Sequence, residues 1–360
     1  MFNPSRLTLA RKRRKFTKTS FADALDCDVK TVIRWESGEI EPSPENLAAI
    51  SDTLQYPTAF FYGKEIDEPQ SEAVSFRALS AMPARDRDAA LAAAALAFLL
   101  SDWIENLFEL PPHDLPDFKE NPDPEAAALI LRQKWGIGER PISNMVKLLE
   151  SKGVRVFSLA ENTRTVDAFS LWRREKPYVF LNTMKTAERS RFDAAHELGH
   201  IVLHKHGGPQ GRFAEEQANH FASAFLIPEA QIKAILPRVS TLNQLVEAKK
   251  RWGVSVAALA HRLHKLKVVS DWQYRRFCIQ IEERFHSSEP YSRLREYSTV
   301  LEKVLGSLRT ERITKHQIAE ALSLPVEEVE HLLFRLTNMQ SIDGQGLGTA
   351  KGRAKLVSVQ

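Results

Sequence analysis

The run R-S-R-F-D-A-A-H-E-L-G-H-I-V-L-H, residues 189–204, holds the side chains of this sequence best suited to chemistry. His196 and His200 stand four apart, with Glu197 directly after the first. On an α-helix, residues four apart lie about 40° apart around the axis and about 6 Å along it. Two imidazoles so placed reach one point as neighbouring ligands of a tetrahedral zinc ion. Glu197 is rotated about 100° from His196, so it approaches a water at that ion without ligating the ion itself. The set suits hydrolysis: a Lewis acid to activate water and polarise a carbonyl, and a carboxylate that takes a proton and delivers it to the leaving amine.

A third ligand must come from elsewhere. His204 continues the four-residue row, but it lies a further 6 Å or so along the axis, out of reach of an ion already held by the other two. The next helical pattern, A-E-E-Q-A-N-H-F-A-S-A-F-L-I-P (214–228), offers Glu215 and Asn219 on one face, with Ala218 and Ala222 small enough for close helix approach. Glu215 completes a His/His/Glu set with an open fourth position, and Asn219 accepts the free N–H of a ligand histidine. Glu216, one residue on and turned off this face, is the rival. The donor set takes Zn2+ and also accepts Mn2+. No residue stands out as oxyanion stabiliser; His204, His206, His220 and Tyr178 are the candidates.

The elements around these two helices follow from periodicity. Short β-branched or aromatic runs, VRVFSL, DAFSLW and YVFLN, predict a small antiparallel sheet at about 154–182. Helices are expected at about 187–205 and 212–227, and onward to about 337. Upstream, residues 76–110 read as helical, and the Ala-rich run Ala89–Leu100 is too short for a bilayer span and is expected as a buried helix. Further helices are expected at about 124–135 and 142–151.

The two motif blocks resemble the ImmA/IrrE family of metallopeptidases. FRALS before them and W-G-V-S-x-x-A-L-A-x-R-L after them fit the same pattern. The resemblance implies a zincin-like α+β fold over about 75–270, with His196, His200 and Glu215 as metal ligands and Glu197 as base. It also implies an endopeptidase that cleaves a helix-turn-helix repressor and so releases silenced genes. Gln217 stands where an acidic residue is frequent in that family, so no ligand role is expected of it.

The first 62 residues carry a different signature. TKTSFADAL reads as a short helix with Thr17 as N-cap, and VKTVIRWESG as a second, capped by Asp28 and stopped by Gly38. Two short helices around a tight turn form a helix-turn-helix, and I-R-W-E-S-G followed by a proline resembles the Xre/Cro-like repressor domain. Lys30, Thr31 and Arg34 are expected to face the major groove of double-stranded DNA. Arg11, Arg13, Arg14 and Lys18 belong to a basic stretch without acidic residues and are expected to neutralise phosphates. Trp35 is expected in the core. Asp26 sits in the turn, where glycine is common, and Asp tolerates the left-handed conformation.

Composition sets the remaining bounds. With 43% hydrophobic and 27% charged residues, the sequence is that of a globular protein. Two cysteines, Cys27 and Cys278, exclude a disulfide framework and a Cys-based zinc finger, and a cytoplasmic location without membrane association is expected. The expected architecture is mostly α with a small β-sheet: an all-α helix-turn-helix domain (1–62), a linker (63–74), an α+β peptidase domain (75–235), a C-terminal helical bundle (236–337) and a disordered tail (338–360). A homodimer is expected if paired DNA half-sites are read. The late segment ITKHQIAEALSLPVEEVEHLLFRL repeats the helix-turn-helix rhythm, but Glu327, Glu328 and Glu330 would face phosphates, so a structural or docking role is expected there.

Overall fold

The computed structural model describes residues 1–69, 83–118, 122–159, 168–205, 211–286 and 288–337, with the backbone of 354–355. The FRALS run, His206 and all of the tail from Asn338 save that backbone lie outside the described residues. In chain order the helices are α1 (Pro4–Arg13), α2 (Lys18–Ala24), α3 (Val29–Glu36), α4 (Pro44–Leu54), α5 (Ala84–Leu107), α6 (Pro124–Lys134) and α7 (Met145–Ser151). Three strands follow, β1 (Arg155–Ser158), β2 (Phe169–Arg173) and β3 (Lys176–Leu181). Then come α8 (Ala187–Leu203), α9 (Arg212–Leu226), α10 (Glu229–Ile235), α11 (Leu242–Trp252), α12 (Val256–Lys265), α13 (Asp271–Phe285), α14 (Thr299–Thr310), α15 (Lys315–Leu322) and α16 (Val326–Leu333). Among the described residues the chain is mostly α with a small three-stranded sheet, as its periodicity predicts, and Phe108–Glu109 pairs in parallel with Ala354–Lys355.

The chain divides into two compact units, one of residues 1–111, 157–167 and 299–360 and the other of 112–156 and 168–298. This grouping cuts across the sequential division drawn from the sequence. Helix α5, expected to open the peptidase domain, packs on α1, and α15 and α16 also pack on α5. The reason lies in α5 itself: Ala89, Ala90, Ala92–Ala95, Leu96, Ala97, Phe98 and Leu100 are all buried, so helices press against it on several sides. It spans 24 residues and is apolar enough to pass for a membrane span by length and composition, but 61% of that stretch is buried within the protein, as in a core helix.

In the first unit, Thr17 caps α2 through a capping box with Ser20, and Asp28 caps α3 by accepting from the Lys30 amide at 2.7 Å. Asp26 turns the chain between them at φ +50°, a left-handed conformation that Asp tolerates. Phe21, Val32, Trp35, Ile50, Leu54, Phe60 and Phe61 form the core, so Trp35 is buried as expected.

In the second unit, β2 and β3 form an antiparallel hairpin in register Phe169↔Phe180 and Ser170↔Val179. The rings of Phe169 and Phe180 stack at 4.7 Å. Helix α8 packs on this hairpin and α9 packs on α8.

Candidate metal centre and nucleic-acid interface

Helix α8 begins at Thr186, whose hydroxyl accepts from the Arg189 amide, and ends at His204, whose amide donates to His200 O at 3.0 Å. Arg191 anchors its buried side. The guanidinium donates to Trp252 O at 3.1 Å and to Ile142 O, and pairs with Glu296. Gly199 permits close approach of α9: a Cβ there would meet Phe221 at 3.1 Å and the Ala218 Cα at 3.2 Å. Ala218 and Ala222 are fully buried at the same contact. The far end of α9 is held by Arg132, which donates to Phe225 O, and by Arg262, which donates to Ile227 O at 3.2 Å. These satisfy carbonyls that a helix C-terminus otherwise leaves unpaired.

The result brings His196, His200 and Glu215 together, with ligand atoms all within 4.8 Å of one another. His196 Nε2 and His200 Nε2 are 3.0 Å apart, and the Glu215 oxygens lie 3.3 Å and 3.4 Å from them. A tetrahedral zinc site with bonds of about 2.0–2.1 Å has edges of about 3.3 Å, so the donor spacing fits one small cation. The outer nitrogens are occupied: His196 Nδ1 lies 3.1 Å from Asn219 Oδ1, and His200 Nδ1 lies 3.0 Å from His204 Nδ1. With a cation bound, both rings would carry their protons on Nδ1 and offer Nε2 lone pairs to it; without one, the Nε2 protons bond the Glu215 carboxylate instead. Glu216 is exposed and pairs with Arg212 at 2.9 Å, pointing away from the cluster.

The electrostatics follow from burial and neighbours. Burial alone would raise the Glu215 carboxyl, but the hydrogen bonds to His196 and His200 outweigh it and hold the group well below the usual carboxylate range. Burial lowers His200 to about 4. For His196 the pull of burial is overcome by Glu215, Glu197 and Asp193, and the net shift is upward. Burial pushes Glu197 up to about 7, against the opposing effects of His196 and a hydrogen bond from Ser170.

Two sets of residues at this centre lie beyond what the sequence shows. Ser170 Oγ donates to Glu197 Oε2 at 2.7 Å, and Trp172 Nε1 donates to Ile201 O at 3.2 Å. Residues two apart on a strand are about 6.6 Å apart, and residues four apart on a helix about 6 Å, so β2 and α8 run in step here. Nothing in the sequence links Ser170 to Glu197. His204 and Gln217 also join the cluster, with His204 Nε2 3.0 Å from Gln217 Oε1. His204 carried a signal, its place in the four-residue row, which led only to its exclusion as a ligand and its place among the oxyanion candidates. Of the oxyanion candidates, Tyr178 is fully buried in β3, and His220 is exposed.

On the helix-turn-helix, Lys30 and Arg34 are exposed and Thr31 is partly so; Arg34 pairs with Glu39 at 2.8 Å. Lys18 is exposed and shares Glu36 with Arg11. Arg11, Arg13 and Arg14 depart from the phosphate-facing placement expected of them. Arg11 is buried against Glu36 at 2.6 Å and donates to Phe16 O. Arg13 and Arg14 both pair with Glu328 of α16, at 2.9 Å and 2.7 Å, and the Tyr56 hydroxyl donates to the same carboxylate at 3.2 Å. Glu328 is 1% exposed, so its charge is internal and α16 meets the helix-turn-helix through it. Asp23, Asp26 and Asp28 remain exposed.

A hairpin, a motif helix and a second helix that together converge two histidines and a glutamate define a metallopeptidase-type domain, joined here to a helix-turn-helix domain. Comparison with known families agrees: residues 149–264 match the IrrE N-terminal-like domain, a peptidase family, and residues 7–61 match the helix-turn-helix domain. The HTH-type transcriptional regulator DicA of Escherichia coli (strain K12) is 40% identical over 65 residues, 18% of this chain and 48% of that regulator. The chain thus spans about half the length of that relative.

Proposed function

We propose that this protein is a cytoplasmic, DNA-associated regulator whose IrrE-like domain is a zinc-dependent endopeptidase acting on a helix-turn-helix repressor. The observation that carries the reading is the convergence of His196, His200 and Glu215 beside a buried, serine-held Glu197. His196, His200 and Glu215 would hold a zinc or manganese ion, which would supply Lewis acidity toward a water and a peptide carbonyl. Glu197 takes the proton from the attacking water and passes it to the departing amine. Asn219 keeps the His196 ring aimed inward. The helix-turn-helix holds the protein on double-stranded DNA through Lys30, Thr31 and Arg34, with Lys18 on phosphate; Arg11, Arg13 and Arg14 serve the fold.

The test compares new protein N-termini in cells expressing the native protein or Glu197→Gln, with and without DNA damage. Termini that depend on Glu197 establish proteolysis and name the substrate. Their absence under every condition makes the protein a regulator whose zincin-like domain binds metal without cutting.

A further inference from the structure

The proton positions around the metal centre are fixed by geometry more tightly than its ligand set alone requires. His200 can offer its Nε2 lone pair to a cation only if its proton sits on Nδ1. That Nδ1 lies 3.0 Å from His204 Nδ1, and a hydrogen bond between two ring nitrogens needs one donor and one acceptor. His204 Nδ1 must then be the acceptor, which puts the His204 proton on Nε2. His204 Nε2 lies 3.0 Å from Gln217 Oε1, an acceptor that receives such a proton. One arrangement of protons satisfies all three groups, and it is the one that leaves the His200 lone pair aimed at the cation.

Resting on the metal-centre reading above, we infer that His204 and Gln217 form a positioning relay for His200. Gln217 accepts from His204, His204 accepts from His200, and the His200 ring is held in its ligating tautomer and orientation. The three residues span both helices of the site. Asn219 does the same for His196 in a single step, so α9 supplies one ligand, Glu215, and the acceptor at the end of each histidine's hydrogen-bond path. Gln217 lies about 200° round the helix from Glu215, so it does this from the other flank of α9. His204 does not itself ligate: its two ring nitrogens face His200 and Gln217.

The test uses the full chain with zinc as the probe. Zinc affinity is read by competition with a chromophoric chelator for the native protein, His204→Phe, Gln217→Leu and Gln217→Glu. In parallel, imidazole 15N NMR of the zinc-loaded native protein reports the His204 tautomer. Loss of a hydrogen-bond partner behind a ligand histidine weakens metal binding by about 10- to 100-fold, so His204→Phe is expected in that range. Gln217→Leu is expected to weaken binding several-fold, and Gln217→Glu, which keeps the acceptor, to bind zinc at least as tightly as the native protein. The His204 ring is expected to carry its proton on Nε2. A native dissociation constant in both His204→Phe and Gln217→Leu, or a His204 proton on Nδ1, overturns the relay. Should His204→Phe fail to fold by circular dichroism, Gln217→Leu, at a partly exposed position, and the native tautomer decide the matter. A native protein that binds no zinc overturns the metal centre itself, a result distinct from failure of the relay.

Discussion

Ser170 Oγ stands 2.7 Å from Glu197 Oε2, inside the second unit and 27 residues away in sequence. A strand hydroxyl thus fixes the rotamer of the carboxylate proposed as general base. Ser170→Ala is expected to lower kcat about 10-fold while leaving zinc affinity unchanged. Glu197→Gln should cost the larger share of general-base catalysis, about 10²- to 10⁴-fold. Steady-state kinetics on the substrate found by N-terminal sequencing, with chelator titration alongside, checks both. Equal loss of zinc from Ser170→Ala would place that serine in support of the metal centre instead.

At Gly199, α8 lies close against Phe221 and Ala218 of α9. Gly199→Ala places a methyl 3.1 Å from the Phe221 ring and 3.2 Å from the Ala218 backbone, so Phe221 and the α9 backbone must give by a few tenths of an ångström. Overpacking of this kind costs about 1–3 kcal/mol, and displacement of Glu215 should weaken zinc binding as well. Urea unfolding of the metal-free protein and zinc titration read the two effects separately.

The Glu328 carboxyl sits among Arg13, Arg14 and Tyr56. Burial alone would raise it, but the two guanidiniums prevail and hold it below its ordinary value. A depressed carboxylate contributes stability that is fully present above the unfolded-state value and is lost as pH falls through the folded one. Glu328→Gln should therefore be less stable at pH 7, by about 3 kcal/mol as for other broken buried pairs. The gap to the native protein should close as the solution is acidified. Denaturant unfolding from pH 7 downward checks this; a gap that widens in acid would contradict it.

DNA affinity should fall only gently with salt. Of the seven cationic or polar contacts expected from sequence, Arg11, Arg13 and Arg14 are engaged inside the protein, leaving Lys18, Lys30 and Arg34 as exposed cations. Each neutralised phosphate contributes about −0.9 to the slope of log K against log salt, and Lys18 is the one of these assigned to phosphate, so a slope of about −1 per helix-turn-helix is expected. Arg34→Ala should reduce discrimination between sequences, while Arg13→Ala should lower stability and leave the slope unchanged. Mobility-shift titrations across salt concentrations read both.

The four-residue spacing of His196 and His200, the α8 and α9 helices and the capped helix-turn-helix were all legible along the chain, because each is local. A four-residue spacing or a Thr or Asp before an apolar helix carries its meaning within a few residues. Three things were not legible. The partnership of Ser170 with Glu197 depends on how a strand runs along a helix. The fate of Arg13 and Arg14 depends on Glu328, more than 300 residues away. The grouping of α5 with the helix-turn-helix depends on which surface its alanines meet.

By itself, the sequence determined the chemistry on offer: two imidazoles and a carboxylate at helical spacing, a glutamate in the next helix, and two short capped helices near the start. Only the tertiary structure decided which groups meet. It joined Glu215 to the histidine pair, put Ser170 behind Glu197, set His204 between His200 and Gln217, and turned part of a basic run inward onto Glu328. Local spacing is written into a helix's period, whereas a hydrogen bond or ion pair between distant segments exists only once packing has brought them within about 3 Å.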